Sequence, residues 1–398
     1  MSIFDQKVIK YEMKPLSSLE KVFPDETPVY RMECQMLSGL WGETVSFQVA
    51  YMGDYFMRER LDVRVVSELA EHVHVRTVEM VPVGRATNGI VDDNYLKTTS
   101  GLYPDLLKDL KDGKVIVYSK QWHSLWIDVD ITSDIPAGDY EIEIQLVKEG
   151  NVVCNAKQKV TVIGVTLPKL DIMHTEWMHA DCLADYYHVE VFSEEHWKLL
   201  ENYFQEYVKR DCNMMLTPLF TSPLDTAIGL ERTTCQLIDV EVKDGEYVFG
   251  FEKLKRWIDL CKECGIEYFE MSHLFSQWGA KYAPKVVATV NGKEEKIFGW
   301  HTPAVGEYTR FLESFLPQLT GKLREWGIAD VTYFHISDEP REEHLETYKA
   351  AKESLGNMLD GFHTFDALSS YEFYRHGLID KPVPGNNEIE EFLANGLT

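Results

Sequence analysis

The chain has 398 residues, with 40 Lys and Arg against 65 Asp and Glu, a formal net charge of −25. Hydrophobic residues at 44% and charged residues at 26% exclude wholesale disorder, and the length suits two or three domains of about 100–200 residues each. So acidic a surface repels phosphate backbones and anionic lipid, so neither nucleic acid nor a membrane is expected as partner, and no window of about 18 uncharged apolar residues could span a bilayer.

The chain opens on MSIFDQKVIKYEMKPLSS, which has no basic segment leading into an apolar one, so no secretory signal is expected. Short alternating runs dominate residues 1–166: ETVSFQVAYM (43–52), VHVRTVEMVPV (73–83), SLWIDVDIT (124–132), GDYEIEIQLV (138–147) and KQKVTVIGV (157–165). Period-two alternation marks strands with one buried face. DIPAGDYE reads as a turn leading into one of them. The expectation is an antiparallel β-sandwich domain without a catalytic constellation.

The pattern changes near Leu167 and Pro168. Residues 167–398 alternate strand-like runs with amphipathic stretches. The expected strands are 171–180, 212–220, 266–275, 330–337, 361–367 and a shorter one at 381–384. Helices are expected near 193–210, 251–263, 304–326, 341–356 and 387–395, with Gly265 ending the second. Strand–helix alternation implies a parallel sheet with crossover connections. A TIM-type (β/α) barrel, with its site at the strands' C-terminal ends, is the expected architecture. About six of its eight strands are found before Thr398, so an incomplete barrel is expected. An open doubly wound sheet is the alternative.

The seven cysteines, Cys34, Cys154, Cys182, Cys212, Cys235, Cys261 and Cys264, are odd in number and scattered. They read as reduced thiols of a cytoplasmic protein rather than a disulfide framework. Cys261-x-x-Cys264 has no second pair to complete a zinc site. No metal and no cofactor are expected.

The sharpest feature is YFHISDEPREEH, residues 333–344. Asp338 and Glu339 stand at a strand end, before Pro340, whose ring should hold Glu339 extended. Adjacent carboxylates raise one another's pKa, and burial raises it further, which suits a general acid. A plain helix start, with Asp338 as N-cap, accounts for the same residues equally well. Other strand ends add His174, Glu176, Trp177, His179 and Asp181, then Ser272, His273 and Trp278, then Asp366, and finally Asn386. Recurrence of polar and Trp residues at ends that a barrel would bring to one mouth favours a site, and a neutral sugar suits the acidic surface. Aromatic content of 12% is compatible with sugar stacking, although counts alone favour core filling.

HISDEP, with TEWMHADCLADYY upstream, SHLFSQWGAKYAPK between them and PVPGNN downstream, resembles glycoside hydrolase family 123. The resemblance covers most of residues 170–398, and the β-rich first half resembles the family's N-terminal sandwich domain. It implies a β-N-acetylgalactosaminidase working by a retaining, substrate-assisted mechanism. By position, Glu339 would be the acid/base and Asp338 would orient the 2-acetamido group. Trp177, His179, Asp181, His273, Trp278, Asp366 and Asn386 are expected to contact the sugar. Two other readings stay open: a non-catalytic glycan-binding protein on the same fold, and a metal-dependent hydrolase using His174, His179 and Asp181. Oligomeric state, and N-acetylgalactosamine against N-acetylglucosamine, leave no mark in the residues.

Overall fold

The computed structural model describes residues 10–28, 36–54, 58–87, 89, 95–169, 171–224 and 226–397. Cys34 and the first nine residues lie outside them. The chain divides into two compact units, Met1–Lys169 and Leu170–Thr398.

The first unit contains β1 (Tyr11–Ser17), β2 (Met36–Trp41), β3 (Thr44–Gly53), β4 (Glu59–Val66), β5 (Val73–Val83), β6 (Gly101–Asp109), β7 (Lys114–Val117), β8 (His123–Asp130), β9 (Gly138–Lys148) and β10 (Asn151–Thr166). They form two five-stranded sheets, ordered β1-β3-β8-β5-β6 and β2-β10-β9-β4-β7. Alternate residues of both sheets meet in one core: Phe47 and Val49 from β3, Leu125 and Ile127 from β8, Ile142 and Ile144 from β9, Val160 and Val162 from β10. That is the period-two pattern made physical. One pairing departs from the antiparallel expectation: β10 runs parallel to β2. A parallel pair needs a long crossover, and everything between β2 and β10 supplies it.

The second unit runs through α1 (Ala180–Tyr187), α2 (Glu194–Lys209), β11 (Met214–Thr217), β12 (Asp239–Lys243), β13 (Glu246–Gly250), α3 (Glu252–Cys264), β14 (Tyr268–Met271), β15 (Val286–Val290), β16 (Lys293–Phe298), α4 (Glu307–Glu325), β17 (Thr332–Phe334), α5 (Leu345–Ser354), β18 (His363–Leu368), α6 (Glu372–Arg375), β19 (Lys381–Pro384) and α7 (Ile389–Ala394). Strands β11-β14-β17-β18-β19 form one parallel sheet in sequential order. A doubly wound sheet would reverse its order partway; this one does not. Helix boundaries follow local chemistry. Ser193 caps α2 through its hydroxyl, which accepts the His196 N–H at 3.3 Å. Gly265 ends α3 at φ +102°.

Two expectations fail here. Residues 171–180 form no strand. The His174 carbonyl accepts the N–H groups of Asn213 and Met214 at the head of β11. Beyond that, side chains replace the ladder: Asn213 Oδ1 accepts the His174 N–H at 2.8 Å, and the Tyr207 hydroxyl accepts that of Glu176 at 2.7 Å. In addition, two hairpins, β12–β13 and β15–β16, interrupt the strand–helix alternation and join edge to edge as a four-stranded sheet. Their turns are Asp244-Gly245 and Asn291-Gly292, all at positive φ. Asp-Gly and Asn-Gly between alternating residues are the strongest short-range hairpin signals, and reading only for strand–helix units passes over them.

Candidate active site

The loops after β14 and β17 carry the SHLFSQWGA and HISDEP runs, and the backbone zips them together. Leu274 N–H donates to the His335 carbonyl at 3.1 Å, Phe275 N–H to that of Ile336 at 3.0 Å, and Trp278 N–H to that of Asp338 at 3.0 Å. Ser337 Oγ donates to the Ser276 carbonyl at 2.7 Å. These bonds occupy backbone groups that a strand end would otherwise leave open, and they fix Trp278 beside the acidic pair.

Asp338 and Glu339 line one cavity of about 780 Å³, together with Trp177, Trp278, Gln277, Thr226–Ile228 and Ala367. Asp338 is 8% exposed, Glu339 is exposed, and Trp278 keeps 44% of its surface at the rim. Glu339 is not extended before Pro340. Its φ is +40°, and Trp278, Gly279 and Ala280 also have positive φ. Left-handed backbone at non-glycine residues costs energy and persists only where surrounding bonds impose it. Here the cross-loop bonds turn the chain immediately after Asp338. The helix-start reading of Asp338 also fails, because the next helical turn begins four residues later, at Glu342, with Arg341 at its cap.

Behind the cavity wall lies a buried polar array. Glu270 of β14 accepts Trp177 Nε1–H at 2.5 Å, His335 Nε2–H at 2.5 Å and the Thr175 hydroxyl at 2.8 Å. His335 Nδ1 donates to Asp366 Oδ1 at 2.8 Å, and the Tyr348 hydroxyl donates to the other Asp366 oxygen. Burial opposes a charged His335 ring, but the Glu270 charge and the bonds to Asp366 and Glu270 outweigh it and push its pKa up to about 9. Burial raises the pKa of Asp366, against the opposing pull of its bonds to His335. His273, 2% exposed, stacks on His335 with ring centres 4.1 Å apart. Burial first, then the His335 charge, hold His273 well below the usual histidine range, so it is neutral. Among the described residues, neither of its ring nitrogens has a hydrogen-bond partner.

The sugar-contact set therefore splits. Trp177 and Trp278 line the cavity with the acidic pair. His273 and Asp366 are buried behind it. His179 caps the entry to α1, half-buried. Asp181 does not face the cavity: it is 6% exposed and makes a two-point ion pair with Arg232, at 2.8 and 3.0 Å. Asn386 is exposed in the turn before α7, outside the cavity lining. The proposed metal set does not assemble, because Asp181 is taken by Arg232 and the His174 ring lies 3.2 Å from the Asp211 carbonyl. His273, His335 and Asp366 do approach one another closely enough to surround an ion. Both nitrogens of His335 are committed to carboxylates, however, which leaves no lone pair for a metal.

Glu270, His335 and Tyr348 escaped the sequence reading. His335 was visible inside HISDEP, but nothing local distinguishes Glu270 among so many acids.

The family model "Glycoside hydrolase 123, catalytic domain" matches residues 177–398. No curated protein sequence matches the chain. Among solved structures, a family 123 glycoside hydrolase from Clostridium perfringens, described for its hydrolysis of glycolipid glycans, superposes with a TM-score of 0.71 at 15% identity, covering 95% of this chain and 67% of that one. A glycosyl hydrolase family 2 member from Bacteroides cellulosilyticus gives a TM-score of 0.25 at 9% identity, covering 89% of this chain and 39% of that one. A β-glucosidase from Listeria innocua gives 0.19 at 11% identity, covering 40% and 17%. The Clostridium superposition shows the fold.

Proposed function

The chain belongs to glycoside hydrolase family 123, and from that premise we propose that it removes terminal β-linked N-acetylgalactosamine, or a related N-acetylhexosamine, with retention of configuration and the substrate's own acetamido oxygen as nucleophile. The observation that carries this reading is the sharing of one cavity by Asp338, Glu339 and two indoles. Its volume is within the usual range of about 300–1,000 Å³ for small-molecule sites. The sequential parallel strands support a TIM-type (β/α) barrel as its scaffold, and the two first-unit sheets with one core support a β-sandwich. A glycolipid glycan, as described for the Clostridium relative, is the proposed substrate class.

In the first step Glu339 gives its proton to the glycosidic oxygen as that bond breaks, and the acetamido oxygen bonds to the anomeric carbon. Asp338 accepts the acetamido N–H and balances the positive charge of the oxazolinium ring. In the second step the Glu339 carboxylate takes a proton from water, whose oxygen replaces the acetamido oxygen at the anomeric carbon. Carboxylates on adjacent residues rarely flank a sugar ring from opposite faces, as the ordinary two-carboxylate mechanisms require. A nucleophile supplied by the substrate removes that requirement.

The test is hydrolysis of chromogenic β-N-acetylhexosaminides. Glu339→Gln and Asp338→Asn should each lower kcat by about 10²–10⁴-fold, the range for general acid–base groups, with unchanged melting. A thiazoline mimic of the oxazolinium ring should inhibit. Wild-type rates in both variants would refute the mechanism, and sugar binding without hydrolysis would establish the glycan-binding reading instead.

A further inference from the structure

We propose that Glu270 and His335 form a buried clamp that sets the Trp177 indole as a wall of the cavity, which makes both of them positioning residues for whatever the cavity binds. The need for a clamp follows from the chain around Trp177. It lies in the segment 171–179, which has no strand ladder. Hydrogen bonds hold its backbone at Ile172, His174 and Glu176 before Trp177 and at His179 after it, but none of these touches the Trp177 side chain. A cavity-lining ring on such a segment has to be held through side chains. Two are: Thr175 Oγ1 and Trp177 Nε1 both donate to Glu270, one to each carboxylate oxygen.

Glu270 is fully buried, and a buried carboxylate survives only when charge and hydrogen bonds compensate it. His335 supplies the charge, donating to the same oxygen that receives the indole N–H. Asp366 holds the far side of the His335 ring, and Tyr348 holds Asp366. The groups facing His335 are thus Glu270, Asp366, neutral His273 stacked on one side, and the Phe365 ring at 4.2 Å. Trp177 also meets the rings of His273 and His335 edge-on, at 5.2 and 5.7 Å. Indole, imidazolium and carboxylate therefore form one rigid unit, and the cavity receives only its outermost ring.

A double-mutant cycle tests the clamp, and its kinetic arm rests on the hexosaminidase reading. Trp177→Phe and Glu270→Gln should each lower kcat/KM on a nitrophenyl β-N-acetylgalactosaminide about tenfold, chiefly through KM. The double variant should lose no more than Trp177→Phe alone, since residues acting through one another are non-additive. Multiplied losses, about a hundredfold together, would overturn the proposal. Where Glu270→Gln does not fold, Thr175→Val takes its place in the cycle. A second arm needs no activity. In ¹⁵N-labelled wild type at pH 8, His335 should carry protons on both ring nitrogens, and the Trp177 indole N–H, identified by its loss in Trp177→Phe, should be shifted downfield and slow to exchange. Glu270→Gln should abolish both signatures. A neutral His335, or a fast-exchanging Trp177 N–H, would overturn the clamp even if the enzyme cleaves hexosaminides. An inactive wild type that shows both signatures would instead refute the hexosaminidase reading and leave the clamp standing.

Discussion

Replacing Gly279 by alanine should damage the cavity at a position that carries no chemistry. Gly279 has φ +106°, and an added Cβ would lie 2.9 Å from His344 Cγ and 3.0 Å from His344 Cβ. The left-handed backbone alone costs an L-residue about 1–2 kcal/mol. Forcing a methyl group against a packed ring adds about 1–3 kcal/mol. The sum, about 2–5 kcal/mol, corresponds to a fall in melting temperature on the order of 10 °C for a unit of this size. Gly245→Ala is the control, because Gly245 also has positive φ (+86°) but nothing within 4 Å of the added Cβ. It should show the backbone cost only. Removing the ring in Gly279→Ala/His344→Ala should recover part of the difference. Because the neighbouring Trp278 N–H ties the two loops to the Asp338 carbonyl, Gly279→Ala should also lower kcat/KM about tenfold, as shifts of about 1 Å in catalytic geometry do. The assays are calorimetric melting and hydrolysis of a chromogenic β-N-acetylhexosaminide. If Gly279→Ala melts no lower than Gly245→Ala, the argument from the His344 contact is refuted.

Other expectations follow from single contacts. His335 has its folded pKa raised to about 9 from an ordinary 6.5, so the folded state holds a proton that the unfolded chain releases. That stabilisation is complete below pH 6.5 and is lost as pH rises towards 9, at about 1.4 kcal/mol per pH unit. Denaturant titrations between pH 6.5 and 7.5, about a unit or more below the ordinary thiol pKa of about 8.5, should show the decline; a flat profile would mean the ring is not held as a cation. Asp181→Ala removes the two-point partner of the half-buried Arg232 guanidinium, which keeps its bond to the Leu224 carbonyl, and should cost about 1.5–3 kcal/mol, with KM for the sugar unchanged. A raised KM would return Asp181 to the sugar subsite. Trp278→Ala, at a rim position 44% exposed, should raise KM about tenfold, the loss of one stacking face, while stability changes by less than about 0.5 kcal/mol. An unchanged KM would remove Trp278 from substrate contact.

Sequence and structure divide along the range of the forces involved. Local interactions were legible in the residues. Period-two alternation in 43–52 and 138–147 became β3 and β9, because one face of each strand must find a core. Ser193 and Gly265 bounded helices through caps that involve only near neighbours. Asp244-Gly245 and Asn291-Gly292 encoded their hairpins just as locally, although the strand–helix reading passed over them. The acidic pair was legible too, since it ends a strand beside a proline. Other features were decided by groups distant in sequence. Glu339 takes a left-handed φ, against the rule for residues before proline, because the 274–278 loop captures the backbone of 335–338. Asp181 left the expected sugar subsite because Arg232, 51 residues later, offered a two-point ion pair. Glu270, His335 and Asp366 stand 65 and 31 residues apart and carry no local signal. Their charges meet only when parallel strands bring successive C-terminal ends side by side, and burial there makes each group depend on the others. A single sequence records each side chain but not its neighbours across the sheet, and at this site those neighbours set protonation and position.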